Sequence, residues 1–411
     1  MNTRYFTTIK QCAVLLVFCV GFYAVHPASA KNATREGNSS EAEALSRLGE
    51  LLLDGQVVGF DPYQAQAFFS KAALLGNRTA RLRLAELTIR GIGTKREVKG
   101  ALSEIKLIAN EGSLSALVSL GDVYSRGYVG TIDLKAAISA YDKAAEAGSI
   151  AAALRLSEIY RYGLLGKTES RRAYEYLNRA KALGDTYALY LMGTGMIEGD
   201  FRKFGRPKKG LALFREAEKL GVNDAKIALA MRRNNRSAQL LPHKKIVRNL
   251  SKLADAGNVQ AALRLFDYYL NPQNGKSRRL TTRNIKKARV LLQRVAEQLE
   301  PNELDYRVLL LDIIRARRAK YPALYARINA IPPASRPSLM RRTLRSSPNA
   351  YVFFVQMQLS EKGFFRGKRD GLLKRRTIRA IKAYCTHLGA GSLCRRGPLS
   401  AQTTNLLTHL F

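Results

Sequence analysis

Six glycines set a beat. Gly76, Gly112, Gly148, Gly184, Gly221 and Gly257 are spaced by 36, 36, 36, 37 and 36 residues, and four residues after each stands an alanine: Ala80, Ala116, Ala152, Ala188, Ala225 and Ala261. A second series, Gly55, Gly91, Gly127, Gly163 and Gly199, runs between them. A period this regular points away from a single-core fold. Each period is one supersecondary unit that can bury its apolar surface only against the units before and after it. An array of that kind offers surface to partners; it does not assemble a catalytic centre.

The clearest unit runs from Ala116 to Gly148. Its first helix is predicted from Ala116 to Arg126, ended by Gly127 as a C′ residue, where positive φ carries no steric penalty. Asp133 is placed to cap a second helix, which carries Ala136, Ala137, Ile138, Tyr141, Ala144 and Ala145. These residues resemble the Sel1-like subfamily of tetratricopeptide-type repeats. That family reads A-x-x-x-L-G-x-x-Y-x-x-G, a loop, D-x-x-K-A, an aromatic and A-A-x-x-G; here Ala116, Leu120, Gly121, Tyr124, Gly127, Asp133, Lys135, Ala136, Tyr141, Ala144, Ala145 and Gly148 fill it. Later units decay. No glycine stops the helix before Arg232–Arg236, and Asn271–Arg279 lengthens a loop. Helices over Ile285–Leu299 and Leu304–Ala319 and a capping helix over Tyr321–Ile331 are expected to follow. The resemblance implies an all-α fold, a right-handed α-solenoid of about seven helix hairpins over residues 45–330.

The N-terminus bears on compartment. Arg4 and Lys10 precede an apolar stretch, Cys12–Val25, which is short for a membrane span, and Ala28-Ser29-Ala30 is a small-x-small box. The pattern is that of a secretory signal peptide over residues 1–30, cleaved after Ala30, and so of a periplasmic protein. An uncleaved anchor would use the same stretch; a lipoprotein would need a small residue before Cys19, where Phe18 stands. Residues 31–44 are small and polar and are predicted as a flexible linker.

Charge adds a constraint. The chain has 69 Lys+Arg against 32 Asp+Glu, a net +37, which suits a polyanion or an anionic surface. Export excludes nucleic acid as the physiological partner. Arginines recur along the array, and stacking would align them into a stripe along the groove; a solvated basic face is the alternative. The groove residues expected to bind are Tyr124, Arg126, Arg155, Tyr160, Arg161 and Tyr190, although core packing equally accounts for tyrosines at repeat positions.

The chain changes character after residue 330. Ile331-Pro-Pro-Ala-Ser-Arg-Pro337 breaks helical periodicity, and residues 331–347 are predicted as a basic linker. Residues 348–411 resemble the three-helix peptidoglycan-binding module of many cell-wall proteins. Val352, Gln356, Leu359, Gly363, Phe364, Phe365, Gly367, Asp370, Gly371, Thr377, Ala380, Ile381, Tyr384, Thr403 and Leu407 fill its pattern; Leu373-Lys374-Arg375-Arg376 departs from it, where the family has an aromatic-glycine turn. The resemblance implies peptidoglycan as a partner, with Gln356, Gly363, Phe364, Phe365, Asp370, Gly371 and Thr377 as the motif. Cys385 and Cys394 are the only cysteines beyond the signal segment, and in an oxidising compartment they are expected to pair. A rival reading, a metal site with His387, lacks a fourth ligand at usual spacing.

Nothing in the pattern points to catalysis, a cofactor or a metal. His243, His387 and His409 stand in no metal-binding helix spacing, and His243 is expected on the solvated surface. Glu158, Glu175 and Glu198 sit at ordinary exposed repeat positions. The stretch from Tyr124 to Gly130, followed by Lys135-Ala136, resembles repeats of the periplasmic scaffold of alginate secretion; the absent lipobox and the additional C-terminal module are departures. The expectation is an exported, non-catalytic envelope scaffold holding polysaccharide synthase or export partners, anionic polysaccharide, or both, and tethered to the wall. Two other readings stay open: a periplasmic regulator of a membrane sensor kinase, and a cell-wall enzyme or an activator of one.

Overall fold

A computed structural model of the chain describes residues 27–54, 60–165, 167–201, 203–232, 239–271, 283–332, 335–391, 393–408 and 410–411. The signal segment up to residue 26, Gly55, Arg202, most of the Arg232–Arg236 run, most of the Asn271–Arg279 insert and His409 lie outside the described residues.

The glycine beat is a repeated hydrogen-bonding device. Gly76, Gly112, Gly148, Gly184, Gly221 and Gly257 all have positive φ. Each donates its N–H to the carbonyl three residues back, and the next residue donates five residues back, as in Asn77→Ala72 and Ser149→Ala144. This closes the end of one helix. The residue after the glycine then opens the next helix. The side chains of Asn77, Ser113, Ser149 and Asn258 accept from the N–H of Ala80, Ala116, Ala152 and Ala261. All six beat alanines are fully buried. One short motif therefore stops a helix, starts another and places a small residue where neighbouring helices meet.

Seven helix pairs result among the described residues. They are α1 (Pro27–Asp54) with α2 (Pro62–Leu74), α3 (Arg78–Arg90) with α4 (Lys99–Asn110), α5 (Leu114–Ser125) with α6 (Leu134–Glu146), α7 (Ile150–Tyr162) with α8 (Ser170–Ala182), α9 (Tyr187–Glu198) with α10 (Pro207–Lys219), α11 (Asn223–Ala230) with α12 (His243–Asp255), and α13 (Val259–Leu270) with α14 (Ile285–Val295). Each pair also packs on the next. The fold is an all-α solenoid, with its apolar core strung along the array as successive clusters.

Within a pair, a small residue on the first helix faces a large one on the second. A Cβ on Gly49, Gly121 or Gly193 would come within 3 Å of the ring of Phe69, Tyr141 or Phe214 respectively. Corresponding positions in other units hold Ala85 with Ile105 and Ser157 with Leu177. Glycine stands opposite an aromatic ring, and a residue with a Cβ stands opposite an aliphatic chain. The volume of each pair is conserved along the array, as close packing requires.

The C-terminal third departs from the prediction in its boundaries. After α15 (Pro301–Arg315) come α16 (Tyr321–Ala330), α17 (Arg336–Ser346), α18 (Pro348–Glu361), α19 (Arg375–His387) and α20 (Ala401–Thr408). The segment predicted as a linker at 331–347 carries α17, whose Leu339 and Met340 are fully buried. The prolines mislead here because Pro337 lies in the first turn of α17, where a missing N–H costs nothing. Arg342 binds Asp267 through two bonds of 3.0 Å, and Arg283 donates to the carbonyl of Ser346 at 2.7 Å. A single core cluster runs from Ile227 to Leu410, so the last repeats and the C-terminal helices share one interior. The helix predicted to cap the array, α16, is itself covered by α18. Residues 31–44, predicted as a linker, lie within α1, whose packed part begins at the buried Ala42.

Candidate functional site

The repeats line up their polar residues as well as their glycines. Glu50, Glu86, Asp122 and Glu158 recur every 36 residues on the first helices. Between them stand Arg83, Ser119 and Arg155, also 36 apart. Arg83 joins Glu50 at 2.6 Å to Glu86 at 2.8 Å. The Ser119 hydroxyl donates to Glu86. Arg155 lies 3.5 Å from Asp122 and 3.6 Å from Glu158. A ladder of acids bridged by donors thus ties four consecutive units together along one face. Asp122 is its busiest rung, accepting also from Arg126 at 3.0 Å and from the Tyr141 hydroxyl. Burial, with the Asp122 charge beside it, pushes the Tyr141 hydroxyl far up. The same charge, against the opposing effect of burial, holds the Arg126 guanidinium above its usual value.

The expected groove residues are placed within this framework. Arg126 and Arg155 belong to the ladder. Tyr160 is 3 % exposed, stacked on Tyr176 with ring centroids 5.7 Å apart, and its hydroxyl accepts from Arg172. Arg161 is 8 % exposed and reaches Asp200 at 2.7 Å and Glu198 at 2.8 Å while lying over Phe201. Tyr160 and Arg161 therefore present no groove surface: Tyr160 is consumed in packing within its own helix pair, and Arg161 in joining that pair to the next. Tyr124 is half-buried against the core, and Tyr190 stacks on Phe214. Of the arginines expected to form a basic stripe, Arg81, Arg83, Arg126, Arg155, Arg161, Arg171 and Arg172 all sit in ion pairs. These pairs answer only part of the array's positive charge, since residues 45–330 carry 50 Lys+Arg against 27 Asp+Glu. The same pairing takes up the three carboxylates considered for catalysis: Glu158 with Arg155, Glu175 with Arg171 and Glu198 with Arg161. A spacing of 33 between arginine and acid, superimposed on a 36-residue period, is the sequence signal that would have found the ladder.

The array also leaves large apolar side chains in solvent. Tyr63, Leu74, Leu107, Leu183 and Leu220 are all exposed, Leu74 by 87 %. The C-terminal helices α17–α20 expose no large apolar side chain among the described residues.

In the C-terminal unit the motif residues hold up the fold. Gln356 is 1 % exposed and works as a strut: its Nε2 donates to Thr377 Oγ1 at 2.9 Å, Leu372 O at 3.2 Å and Asp370 Oδ1 at 3.3 Å. Its Oε1 accepts from the N–H of Asp370 and of Gly371. Gly371 has φ +72°, and a Cβ there would lie 2.5 Å from the carbonyl of Asn349. Phe365 is buried, Phe364 packs on Tyr384, and Gly363, at φ +80°, ends α18. Thr377 is buried in the first turn of α19. The Asp370 carboxyl, hydrogen-bonded by Lys374, is held down at about 2. Cys385 and Cys394 are joined by a disulfide, with Cα atoms 6.4 Å apart. It closes the loop that carries Leu388 and Gly389. His243, expected on the surface, is half-buried and stacks on Tyr268 at 5.2 Å.

Four stretches of the array match a known repeat family. Residues 42–77, 114–149, 150–185 and 259–298 each match the Sel1 repeat. Among solved structures, the chain is similar to a Sel1 repeat protein from Oxalobacter formigenes, at 22 % identity and TM-score 0.40, over 52 % of this chain and 88 % of that one. It is also similar to a protective antigen with an SLR fold from uropathogenic Escherichia coli, at 18 % identity and TM-score 0.39, over 90 % of this chain and 83 % of that one. A Sel1 repeat protein from Klebsiella pneumoniae subsp. pneumoniae aligns at 24 % identity and TM-score 0.32, over 49 % and 96 %. No curated protein matches the chain.

Proposed function

We propose that this Sel1-like repeat protein, a scaffold for protein–protein contacts, works in the cell envelope, exported and without a chemical step of its own. The array holds protein partners of the machinery that makes or exports an anionic polysaccharide, and the C-terminal helices bring it to the wall or the polymer. The observation that carries this reading is the division of surface. The repeats tie their units together with ion pairs and leave large apolar side chains such as Tyr63 and Leu74 in solvent, as a protein-binding face does. The C-terminal unit, residues 348–411, has eleven Lys/Arg against Glu361 and Asp370 and exposes no large apolar side chain among the described residues.

The test is cross-linking in cells with the full, C-terminally tagged chain, combined with fractionation. The expected result is a periplasmic chain shortened by residues 1–30, captured with a polysaccharide synthase or export component. Capture of a sensor kinase in its place would favour a regulatory role. A cytoplasmic chain, or polymer export unchanged in a deletion strain, would remove the export reading.

A further inference from the structure

We infer that the C-terminal unit carries a binding site for an acidic glycan, a chain bearing carboxylate groups, in a cleft at the start of α19. The cleft has a volume of about 580 Å³ and lies between the 366–374 loop and the first turn of the helix. That is within the range of small-molecule sites. Its walls are Lys368, Lys374, Arg375, Arg376 and Arg379, and the one acid is Asp370.

Lys374 takes Asp370 at 2.7 Å. Lys368, Arg375, Arg376 and Arg379 have no ion-pair partner among the described residues, and all four are exposed. What sets these four cations apart is that, with Lys374, they line one hollow. Like charges held together repel, so the arrangement costs stability unless an anion meets it. The backbone adds to the attraction. Lys374 opens α19 with no side-chain cap, so the helix's first N–H groups point toward the same anion.

The floor is fixed in advance. Gln356 has its amide saturated by Thr377, Asp370, Leu372 and Gly371, so it holds the two sides of the cleft and offers nothing to a ligand. Recognition falls to the cations. Arg guanidinium groups bind carboxylates through paired N–H donors. Arg375 and Arg379 stand about one turn apart, roughly 6 Å along the axis, a spacing comparable to that of successive sugars in an extended glycan.

Other polyanions fit less well. Nucleic-acid bases need an aromatic platform, and the one ring in the cleft, Phe365, is buried. An anionic membrane would be held by charge alone, since α17–α20 expose no large apolar side chain to insert among the described residues. An acidic glycan needs only cations and hydrogen-bond donors.

The inference rests on the envelope reading only for where such a glycan would be met; the binding stands or falls by itself. The experiment is titration calorimetry of the full chain with a hexameric oligouronate. A neutral hexasaccharide, anionic phospholipid vesicles and a single-stranded oligonucleotide are the comparison arms. The oligouronate is expected to bind, and R375Q/R376Q/R379Q to weaken it at least tenfold, while R171Q/R179Q on the array leaves it unchanged. The cleft substitutions are at exposed positions, and an unaltered melting curve confirms the fold. Equal loss in the array variant, unchanged affinity in the cleft variant, or equal or tighter binding of vesicles, oligonucleotide or neutral sugar would overturn the site. A chain that binds the oligouronate but fractionates to the cytoplasm would sink the envelope reading and leave the site intact.

Discussion

The backbone N–H of Ile132 donates to the carbonyl oxygen of Leu388 at 2.6 Å, across 256 residues of chain. Ile132 lies in the loop between the helices of the third repeat, and Leu388 in the loop that the Cys385–Cys394 disulfide closes. Leu388 is buried, with its Cδ2 3.3 Å from where a Cβ on Gly127 would stand. The solenoid therefore curves back until its C-terminal unit touches its third repeat. Replacing Leu388 by alanine removes a buried side chain at this seam, a change that in cores costs about 2–5 kcal/mol. The seam should open more often, and amide exchange at Ile132 should rise at least about tenfold, while Ala152 in the next repeat exchanges as before. Reducing the disulfide should act in the same direction. Hydrogen exchange read by mass spectrometry on peptides spanning 127–133 decides it; unchanged protection in both cases would mean that the contact does not hold the two ends together.

The pairing of Gly49 with Phe69 predicts a compensating double mutant. Gly49→Ala puts a Cβ 2.8 Å from the Phe69 ring. Overpacking of this kind costs about 1–3 kcal/mol, from which alanine's better helix propensity returns up to about 1 kcal/mol. Phe69→Leu frees the space, imitating the Ser157 and Leu177 arrangement. The double variant should then lose less than the two single variants together, by about 1 kcal/mol or more in a chemical-denaturation cycle. Strict additivity would mean that the two positions do not share volume.

The period was legible because it is made of residues with one job each. Glycine at positive φ, an Asn or Ser cap and a buried alanine leave the same letters in every unit, so α5 to α8 were readable almost residue by residue. The ladder was less legible because its rungs change identity: Ser119 stands where Arg83 and Arg155 stand in neighbouring units, and charge alone does not say which acid an arginine meets. That ambiguity let Tyr160 and Arg161 pass for groove residues. The boundary at 331–347 was misread for another reason. Pro337 is a breaker inside a helix and a starter at its first turn, and only the burial of Leu339 and Met340 tells the two apart.

Arginines that look alike in sequence should differ sharply in weight. Arg161 is buried, holds Glu198 and Asp200, and covers Phe201. Breaking a buried pair by removing one partner costs about 3–5 kcal/mol. Because Glu198 and Asp200 are themselves partly in solvent, Arg161→Ala should fall at or below the lower end of that range. Arg171 meets Glu175 one turn away with both side chains largely exposed, and Arg171→Ala should cost less than about 0.5 kcal/mol. Equal losses in denaturant midpoints would show that burial does not set the difference.

Asp370 gives the C-terminal unit an acid limit. Its carboxyl titrates at about 2 in the folded chain, first because Lys374 hydrogen-bonds it and then because the Leu372 N–H and the Gln356 amide do. In the unfolded chain it titrates near 3.8. A folded value below the unfolded one means that the unfolded chain binds the proton more readily. The contribution is then complete above about 4 and is lost as pH falls through about 2. Local stability around the Asp370-Gly371 turn should drop over that window, with exchange of the Gly371 and Leu372 amides rising as it does. Asp370→Asn cannot titrate, so its exchange should lack that step between pH 4 and 2 while starting from a less protected state at neutral pH. Matching pH profiles in the two proteins would take the turn's acid sensitivity away from Asp370.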